Sequence, residues 1–273
     1  MNPANLNSLL KSLNSRKALK WFWYFGLISS QIFYAAKINA QLIPDDTLGA
    51  ERSIVVPQNV RDLIQGGARR GSNLFHSFQE FNVDPGQQVY FAHPAEVDHI
   101  LTRVTGTNLS NIFGTLGVEG AASLYLINPN GIIFGKDARL DVAGSFVAST
   151  ADGIPLGEQG FFLATEPEES TLLSIQPGVF FFNYLAGESA TITNAGNLSV
   201  GGNLTLAANT LNLQGQLIAG DHLTLQANHT VNIRDSLVNP FIAKAGGNMQ
   251  VQGDRTVDSF ALNHPDSGFF ANG

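Results

Sequence analysis

The sequence predicts an all-β chain wound as a parallel β-helix, in which one chain climbs coil by coil. Three observations carry this reading. Of 273 residues, 28 are glycine and only 14% are charged, a balance that suits close-packed strands and tight corners better than exposed helices. Residues 202–209 (GNLTLAAN) realign with residues 220–228 (GDHLTLQAN) at a shift of 19, apart from one residue near the glycine, with weaker echoes at Gly196 (GNLSV) and Gly247 (GNMQV). A fixed period near 20 with alternating apolar residues brings the same face back to the same place in each coil. The third observation is Asn128-Pro129-Asn130-Gly131, set between Leu124-Tyr125-Leu126-Ile127 and Ile132-Ile133-Phe134. Pro129 presets φ for a turn, and Asn130 and Gly131 tolerate positive φ, so two buried strands meet at a chemically specified corner.

Taken in order, the chain begins with Lys11, Arg16, Lys17 and Lys20 and no acidic residue in its first twenty positions, followed by an apolar run from residue 21 to 36. That is the pattern of a secretory leader, and Ile38-Asn39-Ala40 before Gln41 offers a cleavage site. The leader is therefore residues 1–40 and the exported domain residues 41–273. The chain contains no cysteine, so its core has to stabilise it without disulfides.

Short strands are expected at residues 53–56 and 60–64 around Pro57, punctuated by Gly66, Gly67 and Gly71. In residues 73–83 (NLFHSFQEFNV), Phe75, Phe78, Phe81 and Val83 are spaced by three and two, so periodicity leaves strand and helical turn open. Residues 93–103 (HPAEVDHILTR) form the best short-helix candidate, with Pro94 in a first turn and Glu96 and Asp98 early. Gly114, Gly117 and Gly120 read as solenoid corners. In the repeat, clearest over residues 190–252, Leu204, Leu206, Leu223 and Leu225 point inward, and Asn209 and Asn228 stack as an amide ladder on successive coils.

A net charge of −7 gives no electrostatic footprint for nucleic acid. His93, Glu96 and His99 lack the His-Glu-x-x-His spacing of a zinc helix, and His76, His93 and His99 read as surface and turn histidines, so no metal or cofactor is expected. Glu166, Glu168 and Glu169 sit around Pro167 as a solvated loop. A polysaccharide-active enzyme would need paired carboxylates on one face of neighbouring coils; the repeat has Asp221 and Asp235 standing apart. The phenylalanine runs at 161–162, 180–182 and 269–270 read as core plugs rather than a binding platform.

Residues 73–83, Ile100-Leu101-Thr102-Arg103-Val104-Thr105-Gly106, Ile112-Phe113-Gly114-Thr115-Leu116 and the Asn128-Pro129-Asn130-Gly131-Ile132 turn resemble, in that order, the filamentous haemagglutinin family's N-terminal secretion domain. The family-motif positions are Asn73, Leu74, Phe75, His76, Phe78, Phe81, Asn82 and Val83. Where many members carry a second Asn-Pro-Asn-Leu turn, this chain has Ala92-His93-Pro94-Ala95, so it resembles the branch without it. The resemblance implies strands for residues 73–83 and a right-handed, single-stranded β-helix with an N-terminal cap and extra-helical strands. It also implies a non-enzymatic exoprotein of a two-partner system, recognised by the periplasmic domains of an outer-membrane β-barrel transporter and shown at the cell surface as an adhesin. A host or surface ligand would be met by later repeats. A stand-alone surface-binding solenoid is the competing reading. Residues after Val257 offer little charge to protect a sheet edge, so residues 41–273 are expected to self-associate through it, and in a complete protein further coils are expected to continue from about Gly273.

Overall fold

The structure, a computed structural model, describes residues 42–58, 61–177 and 190–273. The leader, residue 60 and the phenylalanines at 180–182 lie outside the described residues. Among those described, regular structure is β apart from two three-residue 3-10 turns, Gly49–Glu51 and Pro167–Glu169.

The strands stack in three faces. The first face is a nine-stranded sheet: the hairpin Ser53–Gln58 and Arg61–Gly66, then Gln88–Phe91, Thr115–Val118, Arg139–Asp141, Asn197–Val200, Gln216–Ala219, Ile242–Ala245 and Gly268–Ala271, all parallel after the hairpin. The second face stacks Asn73–Phe81, His99–Val104, Ser123–Ile127 and Phe146–Ser149, then the first halves of Leu204–Leu213 and Leu223–Arg234, then Met249–Gly253. The third face stacks Ser110–Ile112, Ile132–Phe134 and Thr191–Asn194, then the second halves of those two long strands, then Thr256–Phe260. The chain visits first, second and third face in turn and begins again one coil on. This is the parallel β-helix, and Leu204 and Leu206 pair with Leu223 and Leu225 as the repeat requires.

Side chains alternate along each strand, and in a solenoid the inward ones stack in columns. Leu74, Ile100, Leu124, Phe146, Leu204 and Leu223 form such a column and are all buried. The coils can stack this closely only where corners lack a side chain: a Cβ on Gly215 would fall on the Gly196 carbonyl oxygen, and one on Gly220 on that of Gly201.

On the second face the outward side is buried as well. Residues 150–177 leave the helix, and the antiparallel hairpin of Gly153–Leu156 and Gly160–Leu163 forms a second core with Phe75, Leu101, Tyr125 and Val147. Phe162 meets Phe75 edge to face, with centroids 5.0 Å apart. Burial on both faces explains the continuous apolar run of residues 124–127 and the uneven phenylalanine spacing of residues 73–81, since inward and outward positions both take apolar side chains.

Four expectations are corrected. Residues 93–98 form an irregular corner and turn, with Glu96 at φ 63°, and His99–Val104 is a strand hydrogen-bonded between two neighbours, so tertiary pairing overrides the helical pattern. Gly117 is not a corner: it lies inside the strand Thr115–Val118, where a Cβ would meet the Tyr90 ring at 2.5 Å. His76 is not at the surface; it points inward and is fully buried. Pro57 lies within its strand rather than beside it, on the edge of the first face where its missing N–H removes no ladder bond the sheet needs.

Candidate functional site

The two motif stretches meet at one corner of the solenoid, where the second face turns into the third. Successive coils place Asn82, then Gly106 to Ser110, then Asn128 to Gly131 along this corner. Asn128, fully buried, donates from Nδ2 to the Asn108 carbonyl (3.0 Å) and to Ser110 Oγ (3.0 Å), and its Oδ1 accepts the Asn130 backbone N–H (2.9 Å). Asn130 Nδ2 donates to the Gly106 carbonyl at 2.8 Å, while the Gly131 N–H closes the turn on the Asn128 carbonyl at 3.1 Å. Gly131 takes φ 123°, and a Cβ there would lie 2.9 Å from the Thr191 carbonyl oxygen. Ile132 is buried in the core. Two coils before the turn, Asn82 Oδ1 accepts the Asn111 N–H at 2.9 Å, and Val83 bridges to Ile112.

The strand Asn73–Phe81 divides its side chains between the two cores. Leu74, Phe78 and Phe81 enter the solenoid interior, and Phe75 enters the second core. Asn73 Nδ2 donates to the Leu173 (3.0 Å) and Ile175 (2.7 Å) carbonyls, tying the excursion to the first full coil. His76 Nδ1 lies 3.1 Å from Ser53 Oγ; burial drops its pKa to about 3, so the ring is neutral at physiological pH.

Sequence reasoning missed the residue at the centre of this region. Arg103 is fully buried on the outward side of the second face. Its Nε donates to Ser77 Oγ (2.8 Å), its Nη1 to the Leu163 carbonyl (2.6 Å) and Ser170 Oγ (2.6 Å), and its Nη2 to Thr47 Oγ1 (2.7 Å), with the guanidinium 4.6 Å over the Phe162 ring. Thr47, Ser77 and Thr105 in turn donate to the Asp45 carboxylate at 2.6, 2.7 and 2.6 Å. One guanidinium thus joins the N-terminal segment, two coils and the excursion. Burial lowers the Arg103 pKa to about 10, against the opposing pull of Asp45 and Glu168. Burial alone would raise the Asp45 carboxyl, but the Thr105, Thr47 and Ser77 donors outweigh it and hold it below the usual range. The signal available in sequence was an arginine inside the apolar run Ile100-Leu101-Thr102-Arg103-Val104; nothing marked Asp45 as its counterpart.

The other candidates disperse. His93 Nε2 contacts the Val97 carbonyl, Glu96 pairs with Arg69, and His99 packs edge-on to Tyr125. Among the described residues, no group of three or more histidine, cysteine or carboxylate side chains could hold a metal ion. Glu168 and Glu169 are exposed on the 3-10 turn.

The model of the TPS secretion domain family matches residues 40–272. A heme/hemopexin-binding protein of Haemophilus influenzae (strain ATCC 51907 / DSM 11121 / KW20 / Rd) is 37% identical over 83 residues, 30% of this chain and 9% of its own length. A second heme/hemopexin-binding protein from Haemophilus influenzae is 37% identical over 75 residues, 28% of this chain and 8% of its own. The chain thus spans under a tenth of the length of these relatives. A filamentous hemagglutinin secretion domain of known crystal structure aligns over 85% of this chain and 100% of its own, at 14% identity and a TM-score of 0.48. With the family match running over nearly all of a solenoid whose motif stretches converge on one corner, the chain belongs to the TPS secretion domain family, the export domains of two-partner secretion exoproteins.

Proposed function

We propose that residues 41–273 are the part of a secreted exoprotein that the periplasmic domains of a dedicated outer-membrane β-barrel transporter recognise, after a leader of residues 1–40 has been removed. The protein is cargo rather than catalyst. The observation that carries this reading is the family match from residue 40 to 272, which begins where the leader pattern ends. The mature protein is displayed at the cell surface or released, with an adhesin or haemagglutinin-like activity that belongs to segments beyond these coils. We assign it to the branch with the Asn128-Pro129-Asn130-Gly131-Ile132 turn and no second Asn-Pro-Asn-Leu turn. At the place of the second turn, Ala92-His93-Pro94-Ala95 makes a corner held by the His93 contact to the Val97 carbonyl at 2.7 Å.

Expression with and without the partner transporter tests this. The chain should appear outside the cell only when the transporter is present and collect in the periplasm when it is absent. Equal extracellular yield in both strains would overturn the proposal.

A further inference from the structure

The outward side of the second face is apolar only beneath the excursion hairpin. Phe75, Leu101, Tyr125 and Val147 enter the second core, and the same column continues beyond them as Thr205 and Thr224. Where the cover ends, a groove of about 390 Å³ opens, lined by Tyr125, Val147, Thr205 and Thr224 and by Gln176 from the excursion. A second column lines it along the corner where the first face turns into the second: His99, Ser123, Ser145, Asn203 and His222, in register on successive coils. Each stands one residue ahead of the inward column of Ile100, Leu124, Phe146, Leu204 and Leu223, so these polar side chains turn outward.

The corner side chains use their acceptors on the next coil. Ser123 Oγ accepts the Ser145 N–H (3.2 Å), Ser145 Oγ the Asn203 N–H (2.9 Å), Asn203 Oδ1 the His222 N–H (3.0 Å) and His222 Nδ1 the Asn248 N–H (2.9 Å). Their donors are left over. The hydroxyl protons of Ser123 and Ser145 and the amide Nδ2 of Asn203 have no acceptor among the described residues, and they stand on consecutive coils about 4.8 Å apart. Tyr125 is only 5% exposed, yet its hydroxyl has no partner among the described residues, and His99 Nδ1 is buried without one. Buried polar groups ordinarily find partners, so a groove lined by several that have none calls for a ligand rich in oxygen.

We propose that this groove binds a neutral, extended oligosaccharide laid along the solenoid axis, one sugar to a coil. None of the lining residues carries a carboxylate, an ammonium or a guanidinium group, so a phosphorylated or sulfated chain finds no countercharge. Burial also lowers the His99 pKa, which keeps that ring neutral. Sugar oxygens accept from Ser123, Ser145 and Asn203, and sugar hydroxyls donate to the Thr205, Thr224 and Tyr125 oxygens. An extended peptide would present its carbonyls on one side about every 6.6–6.8 Å, out of step with the coils. It would also need an open strand edge, and the strands beneath the groove are paired on both sides. A straight β-linked hexose chain advances by close to one coil per ring and keeps step. Sugar binding here is independent of the route by which the chain is exported.

Titration of the purified protein with cellohexaose and chitohexaose, both neutral and straight, tests this. At least one should bind, more tightly than its own disaccharide because it reaches more coils, and the coiled, α-linked maltohexaose should bind more weakly. Tyr125→Phe removes one hydroxyl and leaves the core filled. Asn203→Asp keeps an oxygen for the His222 N–H and removes the donor. Each should weaken binding by about tenfold, while Ser199→Ala, exposed on the first face, should bind as the wild type does. Thermal melts matching the wild type would show that the variants lose the site and not the fold. No binding of either hexaose at millimolar concentration, equal binding of maltohexaose, or wild-type affinity in both groove variants would each overturn the proposal.

Discussion

At the scale of single residues, the corner turn and the buried arginine act through different physics. Asn128 is an adapter: one amide group satisfies a carbonyl, a hydroxyl and a backbone N–H belonging to two coils. Asn128→Ala leaves the buried Ser110 hydroxyl and the Asn108 carbonyl with a partner missing, and should cost about 1–3 kcal/mol. Gly131→Ala forces a β-carbon into positive φ against the Thr191 carbonyl, adding about 1 kcal/mol or more. Both should lower export together with the urea midpoint; export at wild-type level with unchanged stability would show the turn to be dispensable. Arg103→Met removes the fully buried donor to four separate acceptors and should cost about 3 kcal/mol or more, because the buried Ser77 hydroxyl and the half-buried Leu163 carbonyl, Ser170 and Thr47 hydroxyls each lose a partner. Denaturant titration reads this directly, and a loss under 1 kcal/mol would show that the network holds without its cation.

At the scale of elements, the excursion hairpin stands on one large contact. Phe162 is fully buried between Phe75 and the Arg103 guanidinium. Phe162→Ala should cost about 3–5 kcal/mol. Hydrogen exchange should show the loss first in 153–163, because the coils beneath keep their own ladders. Uniform loss of protection over all coils would mean that the hairpin is part of the folding unit rather than laid upon it. The long strands carry a second element-scale feature, the amide column: Asn228 Nδ2 donates to Asn209 Oδ1 at 3.2 Å, and Asn232 Nδ2 to Asn212 Oδ1 at 2.9 Å. Direct stacking of this kind follows from the coil spacing of about 4.8 Å, and it persists although the register slips by one residue between Ala208 and Thr210.

At the scale of the whole molecule, acid is the expected weakness. His76 is held neutral in the interior with its pKa near 3, beside Thr102 on the next coil. Between its ordinary value and about 3, the unfolded chain binds a proton that the folded chain refuses. Stability is therefore full above the ordinary histidine range and falls by up to about 1.4 kcal/mol per pH unit on the way down. Asp45 adds to this below the ordinary carboxylate range, because its depressed pKa means that its contribution is lost as pH falls through the folded value. Urea midpoints measured from pH 7 to pH 4 should slope downward, and His76→Leu should flatten the upper part of that slope. An unchanged slope in the variant would place the acid sensitivity elsewhere.

The sequence by itself determined the solenoid, because a coil that repeats in space must repeat in sequence: Gly202, Leu204, Leu206 and Asn209 are legible as a period before any strand is placed. It also determined the corner at residues 128–131, since proline, asparagine and glycine state their backbone requirements locally. Tertiary structure decided whatever depends on neighbours far along the chain. His99–Val104 became a strand because it lies between two strands that need its hydrogen bonds. His76 was buried because its neighbours on the strand alternate into the interior, and a lone histidine carries no mark of the side it takes. Arg103 meets Thr47, Ser77 and Ser170, and through Ser77 Asp45, because the N-terminal segment, the neighbouring strand and the excursion converge over the second face. Contacts of that kind leave no spacing in the sequence, because they are set by where coils stack and not by how far apart their residues lie.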